Sequence, residues 1–409
     1  MALSTAERIG RLRERIQDSE EISDVDREVL LEFDDQLQLR GAEYSDHRHL
    51  KLLRHNTIAA EEVGALSETL DDRNAAEDVV KWINRTYENP ETNRDYRVAF
   101  RMFGRLTTDG DDEPPESIDW VPSGTPKTYD PAPDPAEMLD WEEDVQPMIE
   151  ATSTPKEAAA VALQFDAGFR GGEFKPLSVD QFTDHRFGLQ ATVQGKQGQR
   201  TVTLIPSVPY VRQWLEAHPG GDEAPLWCKK TVPETRVSDR TIYNWFERSA
   251  DRAEISKPVT LTNFRKSSAS FMASQGMSQA HLEERYGWVR GSKTASRYVQ
   301  VFAEKSELET AKAWGKEIEE AEEPEAMDPL ECQRCGRETP RNRDMCVWCG
   351  QALEPGAAEV AEELEAEILD SIRDAPSDEK LQNRVDLLER FRESPERRAE
   401  LVDEFAQEI

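Results

Sequence analysis

Over the first hundred residues, apolar side chains return every three or four positions, the spacing of one face of an α-helix. Leu3, Ile9, Leu12 and Ile16 begin one run. Val29, Leu30, Phe33, Leu37 and Leu39 continue it after capping signals at Ser23 and Asp24. Val79, Val80, Trp82 and Ile83 mark another helix. The last runs from Thr92 to Leu106, with Tyr96, Phe100 and Phe103 on one face and Arg94, Arg97, Arg101 and Arg105 elsewhere. His47 to His55 is the most basic window of this half. The pattern predicts a helical bundle over 1–110 with two basic faces, either contacting DNA or simply solvated. Residues 111–135, rich in Pro, Gly, Asp and Ser, read as a linker.

After the linker the period changes. A helix is expected from Thr154 to Gly168, started by Pro155. Leu177–Phe182, Gly188–Val193 and Arg200–Ile205 alternate apolar and polar like strands of a small antiparallel sheet. Gly195-Lys196-Gln197-Gly198 is the turn between the last two. Helices follow over Val208–His218 and Ser238–Ala250. Leu261 to Val301 then holds three helical runs, with Gly276 ending the first, Ser278 capping the second, Gly287 ending it and Ser292 capping the third. Residues 303–327 read as an acidic helix and break. Residues 353–409 read as an acidic helical hairpin, with Val360, Leu364 and Ile368, then Leu381, Val385, Leu388 and Phe391, at helical spacing. The fold class expected is mainly α with a small antiparallel β-sheet.

Composition sharpens the picture and introduces a conflict. The 409 residues suffice for two or three domains, and 83 Asp and Glu against 51 Lys and Arg give a formal net charge of −32. A nucleic-acid-binding chain ordinarily leans basic. Either DNA is not the partner, or the excess acid covers solvent faces, as in halophilic proteins that work in molar intracellular salt. Acid is scattered through every segment, and arginine outnumbers lysine, which fits the second reading. At molar salt the Debye length is only about 3 Å, so distant acids repel DNA little. The same salt weakens counterion-release binding, leaving short-range arginine contacts to carry affinity. No apolar run is long enough to span a membrane, and the charged N-terminus is unlike a signal peptide, so a cytoplasmic protein is expected.

Four of the five cysteines form two knuckles, Cys332-x-x-Cys335-Gly336 and Cys346-x-x-Cys349-Gly350. This spacing is that of a four-cysteine zinc ribbon, here over 328–352, and implies one structural zinc ion. Arg334, Arg337, Arg341 and Arg343 lie within it, either to touch DNA or to keep it soluble. Cys228 stands alone and reads as a small buried apolar residue.

Five separated boxes resemble the tyrosine recombinases, the phage integrase family, of haloarchaeal type with a C-terminal zinc ribbon. Arg170 and Glu173 fit its R-x-x-E box, and Lys196 fits its hairpin lysine. Thr262-Asn263-Phe264-Arg265-Lys266 fits H-x-x-R-[HK] except that threonine replaces histidine. Tyr286-Gly287-Trp288 fits L-G-[HW] except for the first residue, and Tyr298 lies at the distance of the family's tyrosine. The resemblance covers Pro135 to Phe302 and implies a helical core-binding domain at 1–110 and an α+β catalytic domain at 136–302. It implies a site-specific DNA recombinase or integrase that works through a 3′-phosphotyrosine link, without metal or nucleotide in the chemical step. Double-stranded DNA is the implied partner, with a dimer to tetramer assembled on it.

Phosphoryl transfer explains why these residue types recur. Arg170 and Arg265 suit the non-bridging oxygens, because a guanidinium stays charged and donates bidentately. Trp288 adds one neutral N–H. Lys196 suits the general acid, Tyr298 the nucleophile, Lys266 the acceptor of its proton, and Glu173 the orientation of an arginine. Tyr286 is a rival nucleophile whose place suggests packing. The competing readings are a DNA-binding protein that keeps the fold and has lost catalysis, favoured by Thr262, and a helical scaffold without DNA affinity, favoured by the charge. A supercoil-relaxing enzyme of the same chemistry is a further one.

Overall fold

The computed structural model describes residues 4–108, 113–195, 197–301, 314, 327–354, 356–373 and 378–406. The chain forms two compact units, Met1–Pro131 and Ala132–Ile409. Lys196 lies outside the described residues, as does the expected acidic helix of 303–327 apart from residues 314 and 327.

The first unit is helical: α1 (Thr5–Asp18), α2 (Asp24–Leu39), α3 (Asp46–Glu62), α4 (Arg73–Thr86), α5 (Pro90–Leu106) and one further turn, α6 (Glu116–Asp119). The helices start where the sequence offers caps. The side chains of Ser4, Ser23, Ser45 and Asn89 each accept a backbone N–H of the first turn. Ile16, Leu30, Phe33, Leu53, Phe100 and Phe103 fill the core.

Two expectations change here. The stretch read as linker is partly folded, since Ile118 and Val121 are buried in the same core. The α5 arginines are the reason. Arg97 donates to the carbonyls of Pro122 (2.6 Å) and Gly124 (2.9 Å). Arg101 donates to those of Asp119 and Val121, and Arg94 to that of Ser123. Arg105 bonds the Tyr44 hydroxyl. What sequence alone offered as a basic face on α5 is a row of clamps on the segment that leaves the bundle. His49, in the basic window, is buried with Nε2 2.6 Å from Asp34 Oδ1.

The second unit opens with α7 (Gln146–Glu150), α8 (Pro155–Ala167) and the single turn α9 (Gly171–Phe174). A three-stranded antiparallel sheet follows, β1 (Phe182–His185), β2 (Gly188–Gly195) and β3 (Gly198–Leu204), in the order β1-β2-β3. Gly195 pairs with Gly198 beside the β2–β3 turn. β1 starts later than the alternation suggested, because Val179–Gln181 form a 3₁₀ turn. Next come α10 (Val208–Glu216), the short pair β4 (Cys228–Lys229) and β5 (Val232–Arg236), and α11 (Asp239–Arg252). α12 (Leu261–Ser274), α13 (Gln279–Tyr286) and α14 (Lys293–Val301) complete this part. α8 is its axis. Every residue from Ala159 to Ala167 is buried, and α7, α10, α11, α12 and β3 pack round it.

A small ribbon with β6 (Leu330–Glu331) and β7 (Glu338–Thr339) precedes α15 (Ala357–Arg373), α16 (Asp378–Glu393) and α17 (Pro395–Ala406). The expected hairpin is thus three helices. Pro395 cannot continue α16 but suits the first position of a new helix, and the Ser394 hydroxyl accepts the Arg397 N–H. Ala399 and Val402 on this third helix are fully buried.

Candidate active site

α8 ends at Gly168, whose φ of +57° favours glycine. A Cβ there would lie 2.5 Å from Tyr286 Cε1 and 3.1 Å from Ser268 Oγ. The tight exit turns the Gly168 carbonyl onto Arg265, whose Nη1 donates to it at 2.7 Å. Arg170 then opens α9, and Glu173 Oε2 accepts its backbone N–H at 2.8 Å. A glutamate three residues into a helix makes this return bond readily, so the R-x-x-E spacing sets the local geometry.

The opposite wall comes from the end of α13. Arg265 Nη2 donates to the Tyr286 carbonyl at 2.5 Å, and Arg170 Nη2 donates to the next carbonyl, Gly287, at 2.8 Å. Two arginines 95 positions apart in the chain are therefore held by consecutive peptide groups. Gly287, also left-handed at φ +57°, permits this. A Cβ there would stand 3.4 Å from Arg170 Nη1 and 3.1 Å from Arg200 Nη1.

Arg200 was not singled out from the sequence. It rises from β3 and grips Glu173 with both ends of its fork, Nη1 to Oε1 at 2.6 Å and Nη2 to Oε2 at 2.9 Å. Its Nε donates to the Arg285 carbonyl at 3.0 Å. One signal was present. Arg200 shares the strand face of Val202 and Leu204, which are buried, and a charge on the inward face of an alternating strand calls for a partner.

Burial alone would push the Glu173 carboxyl up. The Arg200 side chain, the Arg170 N–H and both positive charges outweigh it, so Glu173 is held below the usual carboxylate range. Arg265 is pulled down to about 10 by burial first and by the repulsion of Arg170, with Glu173 acting in the opposite sense. Three guanidiniums thus surround one carboxylate. Arg170 is the most open of them, its side chain 34% exposed against 10% for Arg200 and Arg265.

Trp288 and Tyr298 complete the pocket. The Arg265 guanidinium lies 5.3 Å from the Trp288 ring centre, and Trp288 in turn stacks on Tyr298. Tyr298 is buried, which pushes its hydroxyl up to about 12 although the Arg265 charge pulls the other way. Tyr286 is a packing residue. It is fully buried, and its hydroxyl is 2.7 Å from Ser268 Oγ. Lys266 is half-buried beside Arg265 on α12, and Thr262, one turn earlier, is exposed. Arg170, Glu173, Arg265, Trp288 and Tyr298 therefore come together around the ends of α8 and α13, with Lys266 following Arg265 on the same helix.

The cysteine knuckles form a second centre. The four Sγ atoms of Cys332, Cys335, Cys346 and Cys349 lie within 4.8 Å of one another. Two of the separations, Cys332–Cys349 and Cys335–Cys346, are 3.7 Å. A tetrahedral zinc with Zn–S bonds near 2.3 Å needs S–S edges of about 3.8 Å, so the donor set fits that ion. Gly336 and Gly350, both at φ +68°, let their N–H groups turn back onto the carbonyls of Cys332 and Cys346. Three of the ribbon's four arginines pair with acids, and Arg334 is exposed. Arg343 is nearly buried, pairing with Asp403 on α17 at 2.9 Å and lying 3.7 Å from Glu150 on α7. Arg337 bonds Glu216 on α10, and Arg341 bonds Asp328. Asn342 also reaches Glu150. The ribbon thus docks near the start of α8, whereas the arginine pocket sits at its end. At 1.5 Å per residue, those ends are about 20 Å apart.

Residues 141–305 match the phage integrase family. The arginine pocket lies inside that segment, so the chain carries a domain of the phage integrase family, whose kind is the site-specific recombinases and integrases that transfer DNA strands. Among solved structures, the chain is similar to the Tn1549 transposon integrase in complex with transposon right end DNA. That match has 13% identity and a TM-score of 0.52, over 70% of this chain and 99% of that one. It is also similar to the XerH recombinase bound to its difH substrate before cleavage, at 16% identity and a TM-score of 0.45, over 76% and 96% of the chains. A lambda integrase tetramer bound to a Holliday junction matches at 12% identity and 0.45, over 78% and 80%. Among curated protein sequences nothing matches significantly. Among the described residues, no helix is long and apolar enough to cross a membrane.

Proposed function

We propose that Tyr298 is the nucleophile of strand cleavage and that Arg170 and Arg265 clamp the scissile phosphate. The observation that carries this reading is the anchoring of both arginines to the adjacent carbonyls of Tyr286 and Gly287, next to Trp288 and its stack on Tyr298. The Tyr298 oxygen attacks phosphorus, the bond to the 5′-oxygen breaks, and a 3′-phosphotyrosine forms. Lys196 gives the leaving oxygen its proton, and Lys266 takes the proton of Tyr298. Trp288 donates its indole N–H to a phosphate oxygen, and Glu173 orients the arginines. The covalent link keeps the energy of the broken bond, so rejoining needs no nucleotide. Fixed guanidiniums stabilise the charge that develops on phosphorus, so no metal is required in that step.

The partner is double-stranded DNA at a crossover or attachment site, bound by a dimer to tetramer. Within the first unit, residues 1–110 serve as the core-binding domain, and in the second, 136–302 serve as the catalytic domain. The ribbon at 328–352 holds one structural zinc. The −32 charge suits a high-salt cytoplasm of haloarchaeal type.

Nicked duplexes, randomised around the nick, test the chemistry in molar KCl. Covalent protein–DNA complexes are expected from the native chain and none from Tyr298→Phe. If the native chain binds the duplexes and forms no covalent complex, the fold is a DNA binder without catalysis.

A further inference from the structure

We propose that Arg200 is a positioning residue of the reaction: by neutralising Glu173 it limits the hold of that carboxylate on Arg170, which keeps charge and an exposed edge for the scissile phosphate. This rests on the assignment of Arg170 and Arg265 to that phosphate. Glu173 is almost fully buried and has two nearby suitors of known geometry besides Arg200. Its Oε1 is 3.0 Å from Arg170 Nη1, and its Oε2 is 4.0 Å from Arg265 Nη1. Left without Arg200, the carboxylate would draw both phosphate ligands onto itself. An arginine engaged bidentately with an internal carboxylate has fewer donors and less field to offer a phosphate.

Arg200 limits this by taking both carboxylate oxygens with the shorter bonds, 2.6 and 2.9 Å, which leaves the Arg170 guanidinium a single bond of 3.0 Å to Oε1. It is too enclosed to meet substrate itself, and its Nε is spent on the Arg285 carbonyl. Its place is also fixed by the sheet. A Cβ on Gly195 would fall 2.5 Å from Glu173 Oε1 and 3.2 Å from Arg200 Nη1, so the end of β2 closes directly over the pair. The pocket balance is then three guanidiniums against one carboxylate. Losing Arg200 halves the net positive charge that faces the phosphate.

The test reads anion binding as well as chemistry, using inorganic phosphate as the probe and the full chain. Arg170→Gln should abolish phosphate binding followed by ³¹P NMR. Arg200→Gln should weaken it at least tenfold. Arg200→Gln with Glu173→Gln should bind phosphate about threefold or more tightly than Arg200→Gln alone, because the carboxylate that Arg200 neutralises is gone. Single-turnover cleavage of the nicked duplexes should follow the same order. Arg200→Lys, which keeps charge but loses the fork, should fall between. A double variant no better than Arg200→Gln, with native-like circular dichroism, would overturn the proposal, because a merely structural role gives losses that add. The phosphate measurement stands apart from Tyr298. Absence of a covalent complex with this rescue intact would instead count against the assignment of the nucleophile.

Discussion

The rings of Trp288 and Tyr298 lie face to face, with centroids 5.2 Å apart and planes inclined by only 14°. The stack covers the hydroxyl-bearing ring before DNA arrives and carries the contact on to Arg265. Trp288→Phe keeps an aromatic face and loses the indole N–H. It should lower the cleavage rate on the order of 10- to 100-fold, the cost of one transition-state donor. Trp288→Ala also uncovers Tyr298. The tyrosine that titrates at about 12 should then move toward 10, read as a difference in alkaline tyrosinate absorbance from the native chain. An unchanged titration would show that Trp288 does not shield it.

Gly168 and Gly172 lie four residues apart and should respond oppositely to alanine. At Gly168 a side chain combines a left-handed backbone with a clash against the Tyr286 ring, and the carbonyl that holds Arg265 moves with it. A loss of about 2–4 kcal/mol in urea unfolding is expected. A Cβ at Gly172 meets nothing within 4 Å, so Gly172→Ala should change stability by less than about 1 kcal/mol.

Arg97 gives a direct check on the α5 arginines. With its side chain buried on the Pro122 and Gly124 carbonyls, Arg97→Ala should destabilise the first unit by about 1–3 kcal/mol. DNA affinity of the folded variant should stay within about threefold of native. A large drop in affinity with native stability would return Arg97 to the DNA-contacting class.

His55 predicts an acid limit for the same unit. Its ring stacks on Tyr96 at 4.0 Å, and burial first, then the Lys51 charge, pulls it down to about 4. The folded form therefore prefers the neutral ring. The resulting stability is whole above the unfolded value of 6.5 and is lost as pH falls from there toward 4. Unfolding titrations at pH 7, 6, 5 and 4 should show this loss, and His55→Phe should flatten that part of the profile.

The cysteine ribbon predicts both a stoichiometry and a structural consequence. The native chain should carry one zinc, and Cys335→Ser should lose it on mild chelation. Arg343 sits three residues before Cys346 and holds Asp403, so metal loss should loosen α17 as well. Limited proteolysis should cut between 353 and 409 in the stripped protein and not in the loaded one. Equal resistance in both would separate the metal from the docking of the C-terminal helices.

Local rules settled much of this protein. Serine caps at Ser23 and Ser278 placed helix starts, alternation placed β2 and β3, and two C-x-x-C-G knuckles placed four thiols. Arg170, Glu173, Arg265, Trp288 and Tyr298 could be picked out because their spacings resemble a family's boxes. What no spacing could reveal was where charges end up after folding. Arg200 looked like an ordinary strand residue until β3 carried it across to Glu173, 27 positions away. Arg97 and Arg101 looked like a surface for DNA until a segment some 20 residues on folded back beneath them. A charge pairs with whatever oxygen the tertiary fold brings within about 3 Å. Sequence periodicity fixes the face on which a side chain lies, and only long-range packing decides what faces it.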